Sequence, residues 1–237
     1  VLYAWRLTVA PPKVPIVAER NPYYWKVDTE GNQLPYLDRI EFMLVETAAQ
    51  AAMRIVQGEA DMQLRHVTFD NYPLLMENKA KGDYRILLWD TGRFDVVLGI
   101  NQSCKDPVLR EILGDKRFRL ALSLGINRSE IIETAFLGTT EPNQVSPLPT
   151  SPVYIEEQAK NKVEYDPAKA NAYLDEMGLT KRDAEGYRLR PDGKRLSLVY
   201  EYAPLIGAWG MIGELLAAHF KEIGVEMLVK EEARQHF

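Results

Sequence analysis

The stretch 196–230 constrains the fold more than any other part of this 237-residue chain. Residues 196–202 (Leu-Ser-Leu-Val-Tyr-Glu-Tyr) read as a strand, about 208–223 as a helix, and 225–230 as a second strand, with Gly224 at the helix end. Ile212, Leu215, Leu216 and Phe220 recur at three- and four-residue intervals, the spacing of one buried helix face. A strand–helix–strand unit of this length predicts an α/β fold, with a right-handed crossover if the two strands are parallel neighbours.

The other segments fit the same class. Ile40, Phe42 and Leu44 alternate with Glu41, Met43 and Val45, a half-buried strand pattern. Upstream, Arg20-Asn21-Pro22-Tyr23-Tyr24-Trp25 predicts a turn with an aromatic cluster, and 28–32 a solvent loop. Thr47 or Glu46 opens a helix that Gly58 closes. A short strand near Asp61, a helix around 72–79, and strands over 84–89 and 94–100 follow. Asp106-Pro107 starts another helix. Residues 115–132 then read as one helix, a break, and a second helix that begins at an Asn127/Glu130 capping pair and ends at Gly138. Pro142, Pro147, Pro149 and Pro152 make 141–152 an irregular loop. Asp166-Pro167 caps a helix carrying Ala170, Tyr173, Leu174 and Met177, with Gly178 at its end. Pro191-Asp192-Gly193-Lys194 connects 187–190 to 196–202 as a hairpin.

Composition and motifs exclude more than they identify. A chain that is 46% hydrophobic and 27% charged builds a substantial core. The net charge of −5 offers no basic field for phosphates, which argues against nucleic acid as a partner. Cys104 is the single cysteine, so no internal disulfide forms. His66, His219 and His236 share no metal-ligand spacing, and no Gly-x-Ser-x-Gly elbow occurs. His219, on the last long helix, reads as a partly buried structural residue.

Gly207-Ala208-Trp209-Gly210-Met211-Ile212-Gly213 follows a strand and opens a helix, which suggests a nucleotide-binding α/β enzyme domain as the rival reading. Its glycines are separated by two residues, whereas pyrophosphate binding needs the first two separated by only one. Glycines at this spacing line one side of a helix and permit close packing. Ligands of open α/β sheets bind beyond the carboxyl ends of strands, which makes Tyr202, Pro204 and Trp209 candidates for a pocket wall.

Seven segments, in order, resemble family 5 of the bacterial solute-binding proteins, the oligopeptide- and dipeptide-binding receptors of ABC importers. Asp115-Lys116-Arg117-Phe118-Arg119-Leu120-Ala121-Leu122, continuing through Asn127-Arg128, is similar to the family's DxRVRxALxxAIDR segment. Phe118 stands where the family often has Val, and Gly125 where it has Ala. Arg20-Asn21-Pro22-Tyr23-Tyr24-Trp25 resembles RNPxYW, and Pro35-Tyr36-Leu37-Asp38-Arg39-Ile40 resembles PYLDxI. Gly58-Glu59-Ala60-Asp61, Gly99-Ile100-Asn101, Asp166-Pro167-Ala168-Lys169-Ala170 and Ile223-Gly224-Val225 match further motifs.

The resemblance implies a periplasmic-binding-protein-like (type II, family 5) α/β fold with mixed sheets. It implies that residues 1–96 are part of the first lobe, including a crossover strand, and that 97–237 are the first part of the second. Family members are longer, and the chain starts at Val1 without a signal segment, so an internal fragment of an incomplete two-lobe protein is expected.

The implied function is an extracytoplasmic receptor, not an enzyme, that captures a small solute such as a peptide between its lobes. It would deliver the solute to ABC permease subunits and use no cofactor and no metal. The location would be the periplasm or the outer face of the cytoplasmic membrane, with a lipoprotein anchor among the options. A sugar or metal chelate is the alternative solute. Family binding by extended backbone and water-filled side-chain pockets implies tolerance of ligand sequence. The expected ligand contacts are Phe94, Asn143, Gln144, Tyr202, Pro204 and Trp209. Truncated lobes would also expose apolar surface, so self-association is expected.

Overall fold

The computed structural model describes every residue except Val1, His66, 90–95, 205–206, Arg234 and 236–237. The chain forms two compact units, Val1–Val67 with Glu77–Tyr84, and Thr68–Met76 with Arg85–Phe237.

The first unit is built on an antiparallel sheet of β1 (Trp5–Val9), β2 (Ile16–Arg20) and β3 (Arg39–Phe42), in that order. Central β2 buries Val17 and Ala18. The alternation at 40–45 makes a strand only as far as Phe42; β3 is an edge, and Leu44 beyond it is 63% exposed, so the expected buried face is not completed. The aromatic turn is held by buried Asn21. Its Nδ2 donates to Tyr3 O at 3.0 Å, and its Oδ1 accepts from Tyr23 N at 3.1 Å. Asp28 organises the next loop by accepting from the backbone of Glu30 and Asn32, from Asn32 Nδ2 and from Tyr36 Oη. Those donors, led by the Asn32 and Tyr36 side chains, pull its pKa down to about 2. Thr47 caps α1 (Ala48–Val56) by accepting from Gln50 N, and Gly58 takes the left-handed conformation (φ +74°) just past the helix.

Three expected strands are not formed. Among the described residues, the 61–65, 84–89 and 96–100 segments carry the composition but no ladder partner, and a strand exists only through pairing. The alternation at 96–100 still acts, because Val96, Leu98 and Ile100 pack against the core of the second unit while Val97 stays exposed. A single 3-10 turn, Phe69–Asn71, leads into α2 (Tyr72–Asn78).

The second unit contains α3 (Pro107–Gly114), α4 (Lys116–Leu124), α5 (Arg128–Phe136), the short α6 (Glu156–Ala159) and α7 (Pro167–Glu176). Then come β4 (Ser197–Tyr202), α8 (Trp209–Glu222) and β5 (Glu226–Glu231). Strands β4 and β5 pair in parallel, from Ser197 opposite Glu226 to Tyr202 opposite Glu231. Helix α8 turns Ile212, Leu216 and Phe220 into a core that also holds Phe118, Leu122, Leu124, Leu174 and Leu196. Gly210 and Gly213 admit this approach. A Cβ on Gly213 would sit 2.7 Å from the Tyr200 ring, and one on Gly210 2.6 Å from Tyr202 Oη. The three-residue glycine spacing is therefore a packing motif, as the sequence pattern suggested.

Side-chain oxygens start the helices. Asp106, Asp115, Asn127 and Asp166 each accept a hydrogen bond from a backbone N–H in the first turn of α3, α4, α5 and α7. Asp166 N also donates to Leu124 O at 2.9 Å, joining the start of α7 to the end of α4.

The largest fully buried side chain is Arg188. Its Nε donates to Ile223 O at 2.8 Å, and its terminal nitrogens donate to Asp175, to Leu179 O and to Asn171 Oδ1. The backbone N of Arg188 donates to Gly224 O instead of to a hairpin partner. That diversion is why the expected 187–190 strand shrinks to isolated bridges, Arg182 with Arg188 and Leu189 with Arg195. Nearby Arg190 bridges Asp192 in the connecting turn and Asp106 at the start of α3.

Replacing Arg188 by Ala leaves the carbonyls of Leu179 and Ile223 without this donor and empties a fully buried site, so urea denaturation is expected to show a loss of about 3–5 kcal/mol. Arg39→Ala, at an exposed ion pair, is expected to cost under about 1 kcal/mol. The acid limb has a defined cause. Asp192 is pulled down to about 2, chiefly by the Arg190 hydrogen bond. A carboxyl whose folded pKa is depressed contributes stability above its unfolded pKa, and that contribution is lost as pH falls from near 4 toward 2. Acid titration of Asp192→Asn by circular dichroism is expected to show a shallower loss across that window.

Candidate functional site

Helices α4 and α5 and the proline-rich loop border a trough of about 480 Å³ in the second unit. Its walls come from Val96, Leu98 and Ile100, from Leu122 to Ile132 across the α4–α5 junction, from Phe136, from 140–145, and from Ile212 and Leu216 of α8. The floor is apolar because α5 and α8 each turn a hydrophobic face into it. Seven polar residues also line it, among them Ser123, Arg128, Asn143 and Gln144.

Hydrogen bonding separates the roles of those four. Gln144 Nε2 donates to Ser123 Oγ at 3.0 Å and to Asn161 O at 2.8 Å, while Gln144 N donates to Ala159 O at 2.7 Å. Lys160 Nζ reaches Pro142 O at 3.1 Å and pairs with Glu141. Two neighbouring segments, 141–144 and 159–162, are thus strapped together. Arg128 donates to Ser123 O at 2.7 Å, to Ser123 Oγ at 2.9 Å and to Val163 O at 3.3 Å. Burial pushes its pKa below the ordinary arginine value, partly offset by Glu164. Asn143 differs from the others: its Oδ1 is buried and has no hydrogen-bond partner. A buried acceptor left unpaired costs about 1–3 kcal/mol until a donor reaches it.

Tyr202, Pro204 and Trp209 gather at a different place, the carboxyl end of β4, and do not line the trough. Tyr202 stacks on Tyr200 at 5.8 Å and donates from Oη to Glu231 at 2.9 Å. Tyr200 Oη reaches Trp209 O at 3.3 Å, and Pro204 is exposed. Phe94 lies outside the described residues. The sequence reading named Arg128 only as part of the family signature and gave neither it nor Ser123 a site role. Their signal is local, a serine in the last turn of one helix and an arginine directly after the cap of the next.

Among the described residues, no group of three or more His, Cys, Asp or Glu side chains is placed to hold a metal ion. His219 is buried, with Nε2 2.8 Å from Glu130 Oε2 and Nδ1 without a partner. Its ring lies 6.1 Å from that of Tyr165, whose Oη donates to Glu222. Burial first, then the Glu222 hydrogen bond, raise the Tyr165 pKa to about 12. No helix among the described residues is long and apolar enough to cross a membrane.

The family of bacterial extracellular solute-binding proteins, family 5 (middle region), matches residues 4–236. The chain belongs to this family. A solved family 5 structure, an oligopeptide-binding protein OppA, superposes with a TM-score of 0.69 at 37% identity, covering all of this chain and 38% of that one. The dipeptide-binding protein of Lactococcus lactis subsp. cremoris is 31% identical over 173 residues, 68% of this chain and 29% of that protein. The periplasmic alpha-galactoside-binding protein of Rhizobium meliloti is 26% identical over 236 residues, 91% of this chain and 33% of that protein. This family 5 chain therefore spans about a third of the length of the curated relatives it matches.

The structure gives the family signature a physical content. Asp115 caps α4, Arg117 donates to Glu176 O at the end of α7, and Arg119 donates to Leu113 O and Gly114 O at the end of α3. With Arg128 on Ser123 O, three arginines satisfy carbonyls left open where helices end.

Gln144→Ala is expected to release the strap. Amide exchange at residue 144, whose N–H is bonded to Ala159 O, should accelerate, with a stability loss of about 1–2 kcal/mol. Unchanged exchange would show that the strap does not hold the loop.

Proposed function

We propose that this chain is part of an extracytoplasmic receptor of an ABC importer that captures peptides and releases them unchanged to permease subunits. The observation that carries this reading is the family match over residues 4–236. The names of the oligopeptide- and dipeptide-binding relatives support a peptide as the solute. A periplasmic or extracellular location follows from the same comparison. The absence of a chemical step is a separate part of the proposal, supported by acids and histidines that serve as caps, ion pairs and packing groups.

In this reading, residues 1–96 belong to the first lobe and 97–237 to the second. Asn143 and the Tyr202, Pro204 and Trp209 junction face the solute. The junction is supported by its position at the carboxyl end of a parallel strand, where open α/β sheets bind ligands. Gln144, with its amide committed to the strap, acts behind that surface. Self-association is supported by Val199 and Leu228, cross-strand neighbours that are both more than half exposed. The second reading, a non-peptide solute, is favoured by the alpha-galactoside-binding relative.

Calorimetric titration with a pool of random pentapeptides tests the proposal. Binding is expected, and Trp209→Ala should weaken it by about tenfold or more while far-ultraviolet circular dichroism stays unchanged. Equal affinities would remove Trp209 from the surface.

A further inference from the structure

We infer that Ser123 is a positioning residue for solute capture: its hydroxyl holds the proline-rich wall of the trough in its binding shape before the solute arrives. The inference rests on the proposed capture of a solute and goes beyond it, because it names the group that sets how fast capture occurs.

The bonding capacity of this hydroxyl is full. Ser123 Oγ donates to Lys162 O at 2.7 Å, and accepts from Arg128 Nη2 at 2.9 Å and from Gln144 Nε2 at 3.0 Å. A serine hydroxyl offers one donor and two acceptor lone pairs, so no capacity remains for a solute. One oxygen therefore joins the last turn of α4, the first residue of α5, the loop around Gln144 and the segment 161–163. The first three of these border the trough.

A strained residue supplies the fourth. Lys162 has φ +54°, in the left-handed region that a side chain other than glycine enters at a cost. Successive carbonyls of an extended chain point to opposite sides. Here three in a row reach one cluster: Asn161 O accepts from Gln144 Nε2 at 2.8 Å, Lys162 O from Ser123 Oγ, and Val163 O from Arg128 Nη1 at 3.3 Å. Strain of this kind persists only where surrounding bonds over-determine it. Those bonds come from Ser123 and from the two side chains that Ser123 Oγ accepts from.

Removing the hydroxyl leaves Arg128 on Ser123 O and Val163 O, and leaves Gln144 on Asn161 O. The unit stays folded while the loop is held by fewer bonds. A wall that is in shape only part of the time slows association in proportion to that fraction, whereas a lost solute contact speeds dissociation. Rates therefore separate a positioning residue from a contact.

Surface plasmon resonance on the immobilised protein, with the pentapeptide Ala-Ala-Leu-Ala-Ala and with raffinose as probes, gives both rates. Ser123→Ala is expected to lower the association rate of whichever probe binds by about threefold to tenfold, with dissociation within about twofold of the parent protein. Far-ultraviolet circular dichroism should be unchanged and amide exchange at 144 faster. Adding Ser123→Ala to Gln144→Ala should change the association rate little further, because the two residues share one tie. An unchanged association rate, a loss carried by dissociation, or fully additive effects would overturn the positioning role while leaving solute capture standing. Failure of the parent protein to bind either probe would overturn the capture reading, and the role of Ser123 with it.

Discussion

The second unit depends on one buried cation. Arg188 lies at the point where α7, the ribbon after Gly178 and the end of α8 converge, and its guanidinium bonds to all three. An isolated charge in such a position would cost far more than the domain's net stability. Here the cost is offset by the Asp175 carboxylate and by carbonyls at helix ends, which need donors in any case. The consequence is geometric. The end of α8 is fixed relative to α7, α7 is fixed to α4 through Asp166 and Leu124 O, and α4 forms one side of the trough.

The same device recurs at smaller scale. Arg117, Arg119 and Arg128 each place donors on carbonyls at the end of α7, α3 or α4. A planar guanidinium suits this task because its five N–H groups reach two or three acceptors without rearrangement. Short helices leave a large share of their carbonyls open, so a unit in which α3, α4, α5 and α7 run only eight to ten residues needs such clamps more than one made of long helices. The family signature is, in this fold, a set of helix-end ties that hold one wall of the trough in shape.

Much of this was legible in the sequence, because local chemistry decides local structure. Thr47, Asp106, Asn127 and Asp166 announced helix starts, and Gly58, Gly178 and Gly224 announced ends in the left-handed region. The glycines at 210 and 213 declared a close helix–sheet approach. Pairing was not legible: 84–89 and 96–100 have strand composition, but strand formation depends on a neighbour that periodicity does not specify. Arg188 was hidden for a related reason, since a lone arginine in a charged ribbon looks like surface until the helices close over it. Asn143 and Gln144 share a proline-stiffened loop, which the sequence showed; that the Gln144 amide braces this loop against 159–162 shows only in where its hydrogen bonds go.

The central claim is capture without chemistry, and the fate of the bound solute tests it most directly. Native mass spectrometry of the purified protein gives the mass of whatever solute it retains, and that solute can be released, re-bound and weighed again after prolonged incubation. The account predicts one-to-one binding of a peptide whose mass is identical before and after. A change in solute mass during incubation, with release of a smaller or modified product, would contradict it.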